Sequence, residues 1–137
     1  MEAIARSQMQ ETMRTGIMAL YNMCRLDKKM TATTNLHKRV SIRQEKRAIY
    51  KSILDLDKNL ETLTAQLRTP STSIETLVTH NLRKSKNKHI NAIREVKTLN
   101  GAEKETKEKE ILKLAKEIKS LSNMLIQLKA ERCVNAN

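Results

Sequence analysis

Residues 111–129, ILKLAKEIKSLSNMLIQLK, carry the clearest helical pattern in the chain. Apolar side chains recur there at alternating steps of three and four, which places them on one face of an α-helix. The row consists of Ile111, Leu114, Ile118, Leu121, Leu125 and Leu128. Such a row predicts a helix that packs against another helix, so the function of the protein depends on what that neighbouring helix is.

A second row of the same kind lies near the middle of the chain. It repeats as a heptad through Ile49, Ile53, Leu56, Leu60, Leu63 and Leu67. Together the two rows form the predicted helix-packing seam. Because each row spans fewer than three heptads, the pattern is compatible both with a coiled coil and with an elongated helical bundle.

The composition favours long helices over sheets. The 137 residues include no Phe or Trp, two Tyr, two Gly and one Pro, whereas 31% of them are charged. Few residues therefore interrupt a helix, since Gly and Pro are the two that do so most strongly. We expect an all-α protein made of long amphipathic helices, with a thin core of Leu, Ile, Val and Met side chains.

Breaks in the pattern divide the chain into four helical segments of one structural unit. Pro70 marks the strongest break because it has no backbone N–H to donate. Thr72 with Glu75 fits a capping box that begins the next helix. The segments are a Met-rich amphipathic helix in residues 1–34, a basic helix with the heptad seam in residues 35–68, a second basic helix in residues 72–100, and a C-terminal heptad helix in residues 102–133.

The last two segments can fold back on each other. Asn100 and Gly101 favour a tight turn, with a hinge in one long helix as the alternative. A turn would produce an antiparallel hairpin in which Ile90 reaches Ile111. Because the facing surface also includes Ser85, the third segment fills the C-terminal row only in part. We therefore expect a helical protein partner, or a second copy of this chain, to complete the seam.

The sequence contains none of the common catalytic or ligand-binding patterns. Its three His are far apart, and no Cys-X-X-Cys or His-Glu-X-X-His spacing occurs. Gly16 and Gly101 are isolated, whereas a phosphate-binding loop needs several glycines. Cys24 and Cys133 lie near opposite ends of the chain and are expected to be idle thiols. We expect a non-enzymatic protein without a metal, a cofactor or a small-molecule substrate.

The charge favours anionic partners. Lys and Arg number 27 against 15 Asp and Glu, a net charge of +12, which predisposes the surface to bind acidic polymers. Two clusters are the candidate binding residues, although a merely solvated helix surface would look the same. They consist of Lys38, Arg39, Arg43, Lys46 and Arg47 in the second segment, and of Arg83, Lys84, Lys86 and Lys88 in the third.

These features predict a non-enzymatic coiled-coil scaffold or adaptor that packs with other helices and docks onto an acidic assembly, such as a microtubule or a ribonucleoprotein. The alternative is a small basic nucleic-acid-binding protein, viral or chromatin-associated, that contacts phosphate backbones. The sequence shows no signal-peptide pattern and no apolar run of membrane-spanning length. We therefore expect an intracellular protein, cytoplasmic or nuclear, that is neither secreted nor bound to membranes.

Overall fold

A computed structural model of the chain describes residues 2–135. These residues form four α-helices and no strand: α1 Glu2–Ala32, α2 Leu36–Leu67, α3 Ile74–Val96 and α4 Gly101–Asn135. The all-α prediction is confirmed. The finer prediction of a coiled coil or an elongated bundle is not confirmed, because the four helices pack into a compact four-helix arrangement. Within the described residues, no helix is both long and apolar enough to cross a membrane.

The first connection, residues 33–35, is a short turn between α1 and α2. Asn35 caps α2, since its side-chain Oδ1 accepts a hydrogen bond from the Lys38 backbone N–H at 3.2 Å. This bond pairs one of the N–H groups that the first turn of a helix leaves without a partner. The chain reverses at these residues, because α1 packs along α2.

The start of α3 differs by one residue from the predicted capping box. Ser73, not Thr72, is the N-cap, with φ −140° and ψ 167°, and its Oγ accepts from the Thr76 N–H at 3.1 Å. Asp57 of α2 adds a second cap, because its Oδ1 accepts from the Ile74 N–H at 2.8 Å. With Ser73 as the N-cap, Ile74 is the first residue of α3, and its side chain is buried in the core.

Residues 97–100 reverse the chain between α3 and α4. α3 ends at Val96, four residues earlier than predicted, and Gly101 begins α4 with a φ of +63°. That backbone conformation suits glycine because glycine has no Cβ to clash. The hinge alternative is therefore excluded, and α3 and α4 form an antiparallel hairpin.

Two hairpins make up the molecule, and the core lies where they meet. α1 packs along α2 and α3 packs along α4, while the two hairpins contact each other mainly through α1 and α4. All four helices contribute buried side chains to this core, which takes none from the described residues 79–120. Its buried members are Leu20, Met23, Cys24, Tyr50, Ile53, Leu60, Ile74, Val78, Met124 and Leu128.

The twelve residues of the predicted seam all lie inside the molecule. Ile53, Leu60, Leu63, Leu114 and Leu128 are buried, and the other seven are half-buried. The chain's own helices pack against both rows.

The folded chain exposes more surface than a compact monomer of its mass. Its accessible area is 9791 Å² for 15.8 kDa, about a third more than the ~7,300 Å² expected of a typical folded monomer. Long helices in two hairpins with a small shared core account for this difference.

Candidate interaction surface

The structure splits the α2 basic cluster. Lys38, Arg43 and Arg47 are exposed. Arg39 is half-buried, and its buried Nε has no hydrogen-bond partner among the described residues. Three of the five cations can therefore meet an anionic partner freely.

Lys46 does not belong to that surface, which corrects the prediction. Only 6% of this residue is exposed, and its Nζ lies 3.1 Å from Asp27 Oδ1 of α1. A lysine is rarely buried unless it is paired with an acid. Its role is to hold α1 against α2, and the sequence pattern gave no sign of this because Asp27 is 19 residues away.

The α3 cluster is fully exposed. Arg83, Lys84, Lys86 and Lys88 all point to solvent, and none of them forms an ion pair within the part of the chain that the structure describes. The sequence holds no acid between Glu75 and Glu95. This stretch of α3 therefore carries exposed cations and no acid of its own.

Two ion pairs fix the register of the α3–α4 hairpin. Glu95 pairs with Lys107 at 2.8 Å near the turn, and Glu75 pairs with Arg132 at the other end. Hydrogen bonds to Glu95 and Glu110 raise the pKa of Lys107. The hairpin is thus in register along its whole length.

One side of the hairpin is a groove of mixed charge. Near its middle the groove is lined by Lys84 and Lys88 of α3 and by Glu117 of α4. Each of these residues directly precedes one that faces the other helix. Positive and negative side chains therefore alternate on this side, as on ordinary solvated helix surfaces.

The opposite side carries exposed apolar residues. Consecutive residues on a helix are 100° apart. In an antiparallel hairpin, the residue that directly precedes an inward-facing residue therefore lies on the groove side in both helices. The residue that directly follows an inward-facing residue lies on the opposite side. Ile90 and Ile93 of α3, which follow His89 and Ala92, are 48% and 38% exposed. Leu112 and Ile126 of α4, which follow Ile111 and Leu125, are 64% and 60% exposed.

Cations flank these apolar residues. By the same geometry, Arg83 and Lys86 of α3, Lys97 just after α3 and Lys119 of α4 lie on this side, and all four are exposed. Glu105 and Glu108 are acids that share it. We call this surface the outer face, and define it by Arg83, Lys86, Ile90, Ile93, Lys97, Leu112, Lys119 and Ile126.

The sequence pattern had not identified the apolar part of the outer face. It placed Ile90 inside the hairpin against Ile111, whereas the structure leaves about half of Ile90 in solvent. The signal was present, because Ile90 and Ile93 are three residues apart and belong to a stripe next to the inward one. The prediction instead followed the row that faces α4, because the residues of that row continue the spacing of Val78 and Leu82.

Exposed apolar side chains also lie elsewhere on the surface. Leu36 and Val40 lie together at the start of α2, Met18 and Tyr21 lie on α1, and Leu54 lies on α2. Single exposed apolar residues are normal on a folded protein. The outer face places four of them on two adjacent helices.

The described residues contain no group of three or more His, Cys, Asp or Glu that could hold a metal ion. Burial raises the pKa of the Cys24 thiol, and the neighbouring Asp27 adds to the effect, which makes this cysteine less reactive.

Comparisons with known proteins found no match among protein-family models, curated proteins or solved structures.

Proposed function

We propose that the protein is a non-enzymatic helical adaptor that docks onto an acidic macromolecular assembly through the α3–α4 hairpin. The observation that carries the proposal is the cationic stretch of α3, in which Arg83, Lys84, Lys86 and Lys88 are exposed and unpaired. A microtubule or a ribonucleoprotein offers the required density of negative charge. The packing of α3–α4 with helices of a partner belongs to the same proposal.

Electrostatics favours this part of the surface. A cation that already pairs with an internal acid gains little from a second partner, whereas an unpaired one contributes its full attraction. The lysines at the start of α4 alternate with glutamates, so their fields largely cancel. The α3 stretch contains no acid of its own, and Glu117 of α4 lines the groove beside its Lys84 and Lys88, so we expect an anionic polymer to be attracted more strongly here than at the start of α4.

The shape of the molecule supports the same role. The four cations of α3 lie in a part of the hairpin that contributes no buried side chain to the shared core. A partner can therefore cover them without disturbing the packing between the two hairpins. The large accessible area of the chain likewise leaves room for an interface of ordinary size, about 800 Å² per partner.

Binding to microtubules and to RNA by matched charge-reversal variants tests the proposal. Lys84→Glu/Lys88→Glu is expected to lose most of the co-sedimentation with microtubules or the gel retardation of RNA. The control, Lys104→Glu/Lys109→Glu, makes the same change in charge at exposed α4 positions and is expected to bind nearly as well as the unmodified protein. Equal losses in both variants would show that only net charge matters and would refute a dedicated α3 site.

Direct binding to a nucleic-acid backbone is the second candidate function. The acid-free interval between Glu75 and Glu95 favours it, because phosphate contacts need positive charge at helical spacing and little else. Affinity for duplex DNA or RNA would then fall steeply with salt. Arg83→Ala is expected to reduce the slope of log affinity against log salt by about one contact. Absence of duplex binding at low salt eliminates this candidate.

A further inference from the structure

The exposed apolar side chains of the outer face call for an explanation beyond charge. Leu112 and Ile126 are well over half exposed, and neither phosphate nor carboxylate groups gain anything from them. An anionic polymer would leave this part of the hairpin in water. The outer face therefore fits a partner that has apolar and acidic groups together.

We infer that the outer face binds an amphipathic helix of a partner protein, with an apolar stripe flanked by Asp or Glu. This inference rests on the proposed adaptor function and identifies the partner chemistry of the same hairpin. Helix-in-groove recognition uses anchors at helical spacing on the bound helix. Here the two hairpin helices provide the receiving surface.

The dimensions suit one helix of two to three heptads. Leu112 and Ile126 are 14 residues apart on α4, which corresponds to about 21 Å along the helix axis. Ile90 and Ile93 lie on the neighbouring α3. Because the register brings Glu95 of α3 beside Lys107 of α4, Ile93 is close to the level of Leu112. A helix lying along the hairpin can contact all four apolar side chains.

Charge selects an acidic helix over a second copy of this chain. Arg83, Lys86, Lys97 and Lys119 surround the apolar residues and outnumber the two acids on this side, Glu105 and Glu108. A symmetric dimer through this face would oppose like charges on both sides. Flanking carboxylates on the partner helix would instead pair with these cations.

Fluorescence anisotropy with designed peptides tests the inference on the full chain. The probe is a labelled 21-residue helix with Leu at the core heptad positions and Glu on the flanks. Its matched control has the same Leu residues and Lys on the flanks. We expect the Glu peptide to bind at least about tenfold more tightly than the Lys peptide. Equal affinities, or no binding of the Glu peptide, would overturn the inference.

Variants then locate the site. Leu112→Asp is expected to weaken binding of the Glu peptide by about tenfold or more, because it places a charge in the apolar contact. Leu54→Asp makes the same substitution at an exposed position on the other hairpin and is expected to leave binding unchanged. The double variant Lys86→Glu/Lys119→Glu should reverse the preference and favour the Lys peptide. If the two Asp variants bind equally, the outer face is not the site.

The outcomes separate this inference from the adaptor function. Loss of microtubule or RNA binding in Lys84→Glu/Lys88→Glu, combined with no peptide binding, would refute the helix partner and leave the adaptor function standing. A dimer in light scattering that Leu112→Asp dissociates would assign the outer face to a second copy instead. Both groove-side residues, Lys84 and Lys88, lie outside the outer face, so the two sets of variants do not overlap.

Discussion

Gly16 shows how one residue can set the distance between the two hairpins. A Cβ built on Gly16 would come within 2.8 Å of Ile74 Cγ1 and closer still to Cδ1. Ile74 is completely buried, so it cannot move aside. From the sequence alone, Gly16 is only a weak point in α1, because glycine lowers helix stability by about 1 kcal/mol relative to alanine. In the structure it permits close contact between α1 and α3.

We predict that Gly16→Ala destabilises the protein despite its better helix propensity. The overlap with Ile74 should outweigh the gain and lower the free energy of unfolding by about 1–3 kcal/mol. Urea denaturation measures this change. The control is Gly16→Ala/Ile74→Val, in which the smaller side chain removes the Cδ1 contact. The double variant should lose less free energy of unfolding than the sum of the losses in Gly16→Ala and Ile74→Val. Strictly additive losses would contradict a contact between the two residues.

Asp57 carries an electrostatic cost at the start of α3. Burial raises the pKa of its carboxyl above the ordinary value, and repulsion from Glu75 adds to the effect, although the hydrogen bond from Ile74 N–H opposes it. The folded protein therefore binds a proton at this site more tightly than the unfolded chain does. Stability from this group is present at low pH and falls as pH rises through the folded pKa.

We predict that Asp57→Asn removes this pH dependence. An amide oxygen can still accept from Ile74 N–H, yet it carries no charge to desolvate. Stability of Asp57→Asn relative to the unmodified protein should therefore increase between pH 3 and pH 7, as followed by thermal denaturation. Asp57→Ala is the control, since it also lacks the charge but has no acceptor, and it should be about 1 kcal/mol less stable than Asp57→Asn at all pH values. A relative stability that is constant with pH would contradict the burial argument.

At the scale of the helix, α4 has two apolar rows with different roles. The row that continues through Leu121 packs into the core, whereas Leu112 and Ile126 lie one residue beyond that row and face solvent. Periodicity found the first row because it is long and regular. It missed the second because Lys119 lies in the middle of that row.

We predict that equivalent substitutions in the two rows have different effects on folding. Leu121→Asp puts a charge against the core and should lower the free energy of unfolding by more than about 2 kcal/mol. Leu112→Asp should change it by less than about 1 kcal/mol, because the side chain is already in water. Denaturant titration followed by circular dichroism distinguishes them. Similar losses would mean that Leu112 is not on the surface.

The helical class and the approximate places of the breaks were predictable because they depend on local signals. The lack of Gly and Pro, the break at Pro70 and the turn near Gly101 all act within a few residues. Pairing between distant residues was not predictable in the same way. Lys46 looked like a surface cation until Asp27 was brought beside it, and the N-cap fell on Ser73 because Asp57 holds the next residue. These contacts depend on the register between helices, which periodicity does not fix.

For the whole molecule, the structure and the charge together favour a monomer in solution. The predicted seam, which was expected to require a partner, is filled by the chain's own four helices. A net charge of +12 opposes self-association at low salt. The remaining apolar surface on the outer face is surrounded by cations, and two copies would have to bring these charges together.

Light scattering combined with small-angle X-ray scattering measures the mass and the radius of gyration of the protein in solution. We expect a mass of 15.8 kDa and a radius of gyration of about 16 Å, slightly above the ~14 Å expected of a compact 137-residue globule. The larger value follows from the extra accessible area of the two long hairpins. A radius above about 25 Å at monomer mass would mean that the hairpins separate in solution, and the core residues that join them, including Leu20 and Ile74, would then be exposed. A dimer mass that persists in Leu112→Asp would place self-association on a surface other than the outer face.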